Sequence, residues 1–198
     1  MNKETLMTET TENENKEVVM KETNEKTSIA QIIKDYAVVI IGAILLTMLI
    51  SVFVKPGQVV GESMTNTLQN SDLVLISKTA FNSKTPEYKD IVVLNTNIEN
   101  GRILIKRVIG VPGDTVEIRD NAVYVNGNKL DEKYIRETMV NNQDMEVVVP
   151  EGKIFVMGDN RNNSLDSRSL MVGMIDYKKD VIGKVMFRIF PFKTIPKY

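Results

Sequence analysis

Nineteen consecutive residues, Tyr36 to Val54, carry no charge, and Asp35 and Lys55 bound them. At ~1.5 Å per residue, a helix of that run covers roughly the ~30 Å hydrocarbon core of a bilayer. The core helix of a soluble domain normally keeps a polar face, whereas only Thr47 and Ser51 interrupt this apolar surface. A cleavable leader fits less well. The apolar run exceeds the usual ~7–15 residues, a long polar stretch precedes it, and Phe53-Val54-Lys55 offers no small-x-small cleavage site. A retained membrane helix is therefore expected, and it divides the chain into unequal parts.

Three regions follow from this division. Residues 1–27 are dominated by Thr, Glu, Asn and Lys, too poor in apolar groups to offset the entropy of ordering, and are expected to be disordered. Ser28-Ile29-Ala30-Gln31 matches a capping box, which places the start of the helix near Ser28. The helix is expected over 28–55, with Pro56-Gly57 releasing the chain into a turn. Residues 56–198 then suffice for one domain with its own core. The flanking charges, Lys26 and Lys34 on one side and Lys55 on the other, leave the orientation of the helix undecided.

The domain sequence has the period of strands. Val59-Val60, Leu73 to Ile76, Ile91 to Leu94, Ile103 to Ile109, Val116 to Ile118, Val123 to Val125, Val147 to Val149, Ile154 to Met157 and Val181 to Phe190 are short β-favouring runs separated by turn residues. Asn126-Gly127 signals a tight hairpin, Pro112-Gly113-Asp114 a turn, and Phe81 to Lys89 a loop. A mostly β domain is expected, with no helical stripe after residue 57. The net charge of −1 provides no basic field, so nucleic acid is excluded as a partner. The chain contains no Cys and no His, which removes disulfides, thiol nucleophiles, the usual zinc sites and any imidazole triad. Hydrolytic chemistry here needs Lys, Asp or Glu as its base.

Three polar clusters stand out against this background. The first is Gly61-Glu62-Ser63-Met64-Thr65-Asn66-Thr67-Leu68, which by itself is an ordinary polar turn. The second is Ile103-Leu104-Ile105-Lys106-Arg107-Val108-Ile109-Gly110, where two cations interrupt an aliphatic strand. With side chains alternating, one face or both must hold a charge among apolar groups, and a buried lysine gives up its proton more easily. An edge strand would instead let both cations reach water. The third is Gly158 to Arg168, after the apolar run Ile154 to Met157. It is not a calcium loop, since Arg161 stands where an oxygen ligand belongs and Leu170 where the closing glutamate would be. Its Asp and Arg residues suit a self-satisfying ion-pair loop.

In this order behind a membrane helix, the clusters resemble bacterial type I signal peptidases, the Ser/Lys endopeptidases of peptidase family S26. Ser63-Met64 with Thr67-Leu68 resembles the nucleophile box, Lys106 to Asp114 the general-base box, and Gly158 to Arg168 the third signature. The resemblance covers most of residues 36–192, and the single anchor without large insertions is similar to the compact Gram-positive type. It implies an all-β catalytic domain like that of Ser/Lys autoproteases, an amino terminus in the cytoplasm and a domain outside the cell membrane. Two residues depart from the family pattern: Asn66 replaces a usual proline, which is expected to loosen the turn, and Gly61 replaces a serine that donates to the oxyanion in some members.

What the resemblance implies for chemistry is specific. Ser63 is the nucleophile and neutral Lys106 the base, its amine deprotonated by apolar neighbours and by the charge of Arg107. Ser164 orients the amine, and Asp159, Arg107, Asp166 and Arg168 form a supporting ion-pair framework. Met64, Leu104 and Ile105 line shallow pockets for small residues before the cut. No cofactor and no metal are implied. The partners implied are signal peptides of exported preproteins and the lipid bilayer, with contact with the secretion translocon left open. A DNA-damage repressor type of autoprotease would share the dyad but needs a DNA-binding domain, and a membrane-tethered relative that binds peptides without cutting them is the reading Asn66 favours.

Overall fold

The structure of the protein is a computed structural model that describes residues 29, 31–96, 101–140, 142–192 and 194–195. The expected disorder of residues 1–27 and the capping serine at 28 lie outside the described residues. The chain divides into two units between Ile50 and Ser51.

Helix α1 (Gln31–Phe53) is long and apolar enough to cross a membrane. Its residues are exposed, the opposite of what a soluble core helix requires. Thr47 satisfies its own hydroxyl by donating to the Ala43 carbonyl at 2.8 Å, so it costs the apolar surface little. The helix ends earlier than the sequence suggested. Residues before a proline are driven out of the α region, and proline clashes with the carbonyl four residues back. Pro56 therefore acts upstream, and the chain enters strand β1 (Val54–Gln58) directly, with Pro56-Gly57 inside the strand instead of in a turn. β1 is an edge strand, the one place in a sheet where a missing N–H is tolerated.

The domain has no helix among its described residues and is built of two antiparallel sheets, as the strand-period sequence predicts. The larger sheet contains β1, β2 (Leu73–Ser77), β3 (Ile91–Asn95), β4 (Ile103–Gly110), β9 (Lys153–Met157), β10 (Ile175–Asp176) and β11 (Val181–Phe190). Its order is β1-β2-β11-β3-β4-β9-β10. The smaller sheet contains β5 (Thr115–Arg119), β6 (Ala122–Val125), β7 (Asn128–Lys129) and β8 (Met145–Val148), in the order β7-β6-β5-β8. The Val59-Val60 run falls just after β1, and the two-residue strands β7 and β10 carry no strand pattern of their own.

Turn chemistry sets the hairpins. Asn126 and Gly127 have φ of 51° and 77°, the two positive values a tight β6–β7 turn needs. Asp120 and Asn121, at 50° and 58°, make the equivalent turn between β5 and β6. Both faces of the central strand β3 are buried. Ile91 and Val93 join a core with Val59, Met64, Leu68 and Val74, while Val92 and Leu94 join another with Val108, Ile154 and Val156. A third core lies under the smaller sheet around Ile109, Val116, Tyr134 and Phe155. β4 therefore runs through the middle of the domain, bordering all three.

Candidate active site

Strand β4 pairs with β3 from Ile103 to Arg107, but with β9 only from Arg107 onward. One edge of Ile103–Lys106 is thus left without a strand partner, and there a cleft of about 400 Å³ opens, lined by Val59 to Met64, Ile103 to Lys106, Asn163 and Leu165. Ser63 reaches it from the turn after β1. That turn is built of short hydrogen-bonded steps, Thr65 N–H to Glu62 O at 3.0 Å, Thr67 N–H to Met64 O at 3.0 Å and Leu68 N–H to Met64 O at 2.8 Å. The buried side chains of Met64 and Leu68 anchor it in the core. Asn160 clamps it from the third cluster, donating its backbone N–H to Ser63 O at 2.9 Å and its amide to Glu62 O at 3.1 Å.

Lys106 and Arg107 are 1% and 3% exposed, so the reading in which both reach water from an edge strand does not hold. Their environments differ. The Lys106 amine donates to Ser63 Oγ at 2.7 Å and to its neighbour Ile105 O at 3.1 Å. Removal from water pushes its pKa down to about 8, against the pull of the Asp166 carboxylate and with help from Arg102. Arg107, expected to assist, instead spends its charge on Asp159 through a bidentate pair of 2.8 and 2.7 Å. The cations that favour the neutral amine are Arg102 and Arg168.

The third cluster is an ion-pair framework around this dyad. Asp166 takes a bidentate bond from Arg168, at 2.8 and 2.9 Å, and a third from the Gly158 N–H at 3.0 Å. Burial alone would raise the Asp166 pKa, but these donors hold it below the ordinary carboxylate value. Arg168 also donates to Arg161 O at 2.7 Å, closing the loop on itself. Gly158 is required by space: a Cβ there would lie 2.5 Å from Ser63 O and would also collide with Ser164. Ser164 Oγ is buried beside that glycine, where it helps the Asp166 carboxylate stay ionised, and the expected bond to the Lys106 amine is absent from this arrangement. Met64, Leu104 and Ile105 all line the cleft, the first two largely buried and Ile105 partly so.

Two residues of the framework, Glu132 and Tyr134, carried no sequence signal, and a third, Thr67, carried none for its partners. Glu132 pairs with the buried Arg161 at 2.7 and 2.5 Å. Tyr134 lies between two guanidinium groups, 4.1 Å from Arg107 and 5.9 Å from Arg161. Thr67 donates to Asp159 at 2.5 Å and accepts from Arg107 at 3.3 Å. Glu132 and Tyr134 sit in an irregular stretch with no periodicity, and their partners are distant in sequence. Thr67 stood within the first cluster, where its link to Asp159 depends on folding alone.

Comparison with known proteins gives this geometry its relatives. The family described as signal peptidase, peptidase S26, matches residues 29–190. The chain belongs to that family. A signal peptidase I of Bacillus licheniformis is 40% identical over 189 residues, covering 88% of this chain and 95% of the relative. Signal peptidase IB of Staphylococcus aureus is 36% identical over 156 residues, covering 70% and 79%. A signal peptidase I crystal structure from Enterococcus faecalis V583 is 37% identical and covers 52% of this chain and 98% of that one, with a TM-score of 0.45. Signal peptidase membership agrees with the order of the three clusters and with the mostly β domain.

Proposed function

We propose that the protein is a membrane-bound serine endopeptidase that removes signal peptides from exported preproteins, with Ser63 as nucleophile and Lys106 as base. The observation that carries this reading is the 2.7 Å bond between the buried Lys106 amine and Ser63 Oγ, in a chain without histidine. A base must be within hydrogen-bond reach of the proton it takes and must be largely free of its own. Lys106 meets the first condition by position and approaches the second by desolvation.

In this mechanism the neutral amine takes the Ser63 proton as Oγ attacks the scissile carbonyl, and the ammonium then delivers it to the leaving amine. Water, deprotonated by the same lysine, hydrolyses the acyl-enzyme. The Ser63 N–H donates to no backbone carbonyl among the described residues and serves as the oxyanion donor in this reading, since Gly61 offers no hydroxyl. Ser164, close to Ser63 across Gly158, is the acceptor that holds the amine once Oγ has become part of the acyl group. An extended substrate adds to the open edge of Ile103–Lys106 by backbone pairing, its small residues seated on Met64, Leu104 and Ile105. Arg107, Asp159, Asp166 and Arg168 hold the frame and carry no proton.

Helix α1 would place the enzyme in the cell membrane with the amino terminus cytoplasmic and the domain outside, beside substrates emerging from the translocon. Incubation of the full chain in detergent with a preprotein, with the cut mapped by mass spectrometry, tests the activity. Ser63→Ala and Lys106→Arg should both be inactive, because guanidinium keeps its proton at any working pH. Cleavage by either would refute the dyad. External protease on intact cells tests the orientation, which digestion of the amino-terminal tail with protection of the domain would reverse.

A further inference from the structure

Asn66 was the residue expected to loosen the nucleophile turn, and its geometry is the reverse of loose. Its φ is 96°, a region that proline cannot enter and that asparagine tolerates better than other side-chain-bearing residues. Its amide nitrogen donates to two consecutive carbonyls, Tyr134 O at 3.0 Å and Ile135 O at 3.2 Å. Those carbonyls belong to an irregular segment outside any strand, where no sheet ladder supplies donors. Two requirements therefore meet at position 66. The backbone selects Gly, Asn or Asp, and the paired carbonyls select a side chain with two N–H donors. Among the twenty residues, asparagine satisfies both at this reach.

The segment it grips is not an arbitrary one. Tyr134 is fully buried, its ring lies under Arg107, and Arg107 is the strand neighbour of Lys106. Two residues on, the Arg136 N–H donates to Asp159 O at 3.0 Å, so the same segment also holds the residue that pairs with Arg107. Both halves of the dyad are thus referred to one place. Lys106 is tied to it through the Arg107 ring contact, and Ser63 through the turn that contains Asn66.

We propose that Asn66 is a positioning residue, which sets the distance between Ser63 Oγ and the Lys106 amine by locking the nucleophile turn to the Tyr134–Ile135 backbone. It touches neither substrate nor reacting atoms, and the proposal rests on the Ser63/Lys106 reading above. Its effect is on kcat, since displacement of a nucleophile by about 1 Å can cost 10²-fold in rate. The cleft strand Ile103–Lys106 keeps its pairing with β3 whatever stands at 66, and Met64 is anchored in the core, so most of the substrate-binding surface should be spared.

The test uses the full chain in detergent with a signal-peptide substrate, at a temperature well below each variant's melting midpoint. Asn66→Gly keeps the backbone conformation and removes the donors. Asn66→Asp keeps shape and conformation but turns an acceptor toward two carbonyls. Both should lose about 10–100-fold in kcat with KM within about threefold of the parent. Asn66→Pro, which cannot adopt the conformation, should lose more and melt lower. Full kcat in either the Gly or the Asp variant would overturn the proposal, as would a loss that only tracks the unfolded fraction or that appears in KM. Ser63→Ala and Lys106→Ala run beside them separate the two levels. Residual cleavage by those controls would undo the dyad itself, whereas inactive controls with a fully active Asn66→Gly would undo only the role of Asn66.

Discussion

Replacing Lys106 with methionine should make the domain more stable at neutral pH while destroying its activity. In the unfolded chain the lysine titrates at about 10.4, whereas in the folded domain it is pushed down to about 8. Between these values the unfolded state binds a proton that the folded state does not, so stability rises with pH across that window. The rise is roughly 2.5 units at 1.36 kcal/mol each, about 3 kcal/mol, fully withheld below pH 8 and fully present above about pH 10.5. At pH 7 the folded protein therefore carries a buried ammonium that costs about 3 kcal/mol relative to water. Methionine has a similar length and no charge. It removes that cost, leaves Ser63 Oγ and Ile105 O without their donor at about 1–2 kcal/mol, and yields a net gain of about 1–2 kcal/mol.

The assay is urea unfolding of both proteins in detergent at pH 7, 8, 9 and 10, followed by a signal of the extramembrane domain. Every other titrating group is common to the two, so the difference between their stabilities isolates Lys106. That difference should favour the methionine variant at pH 7 and move toward the parent by about 2–3 kcal/mol by pH 10. The activity of the parent reads the same equilibrium: about one tenth of Lys106 is neutral at pH 7 and nine tenths at pH 9, so kcat/KM should rise roughly tenfold between them. A stability difference that stayed constant from pH 7 to 10 would mean that the amine is solvated in the folded state. The desolvation argument would then fail.

Two further substitutions probe the frame. Gly158→Ala brings a Cβ to 2.5 Å from Ser63 O, so the nucleophile turn must shift. kcat should fall about 10²-fold with a stability loss of about 1–3 kcal/mol, and a variant with the parent's kcat would show that the clamp on Ser63 is dispensable. Asp166→Asn removes the carboxylate that favours the protonated amine and leaves the Arg168 charge without its carboxylate. The midpoint of its pH–activity profile should move below that of the parent, with a destabilisation of up to about 3–5 kcal/mol. A midpoint that stayed or rose would separate Asp166 from the electrostatics of the dyad.

The strands, the hairpin at Asn126-Gly127 and the helix were legible because each depends on a local rule: period two, a positive φ, or an uninterrupted apolar run. Pro56 was legible as a breaker, yet its effect was misplaced, because the sequence does not show that Val54 and Lys55 find β2 as a partner. Ser63, Lys106 and the third cluster could be named, but their mutual distances could not. Whether Lys106 is buried depends on the Ser63 turn packing against β4, which no local pattern encodes. Glu132 and Tyr134 escaped notice, and Asn160 was seen in its cluster without its clamp on the Ser63 turn, for the same reason. Their importance lies in partners across the fold, and Asn66 was misjudged because its amide contacts lie nearly seventy residues away.

The division of labour between charges and burial follows from the pairing. Arg107 lies beside Lys106 in sequence and was expected to repel its proton, but a guanidinium held bidentately by Asp159 presents little net charge to its neighbour. Asp166 and Arg168 form a second such pair, in which the pull of the carboxylate on the amine's proton outweighs the push of the guanidinium. The framework thus supplies rigidity and does not itself expel the proton. What remains to free the amine of its proton is the removal of water, through Leu104 and Val108 on the same strand and Met64 beneath the turn. A substrate that fills the cleft and pairs with the open edge of β4 would exclude still more water. In the occupied site the lysine should therefore titrate below its value in the free enzyme, so that substrate binding itself completes the activation of the base.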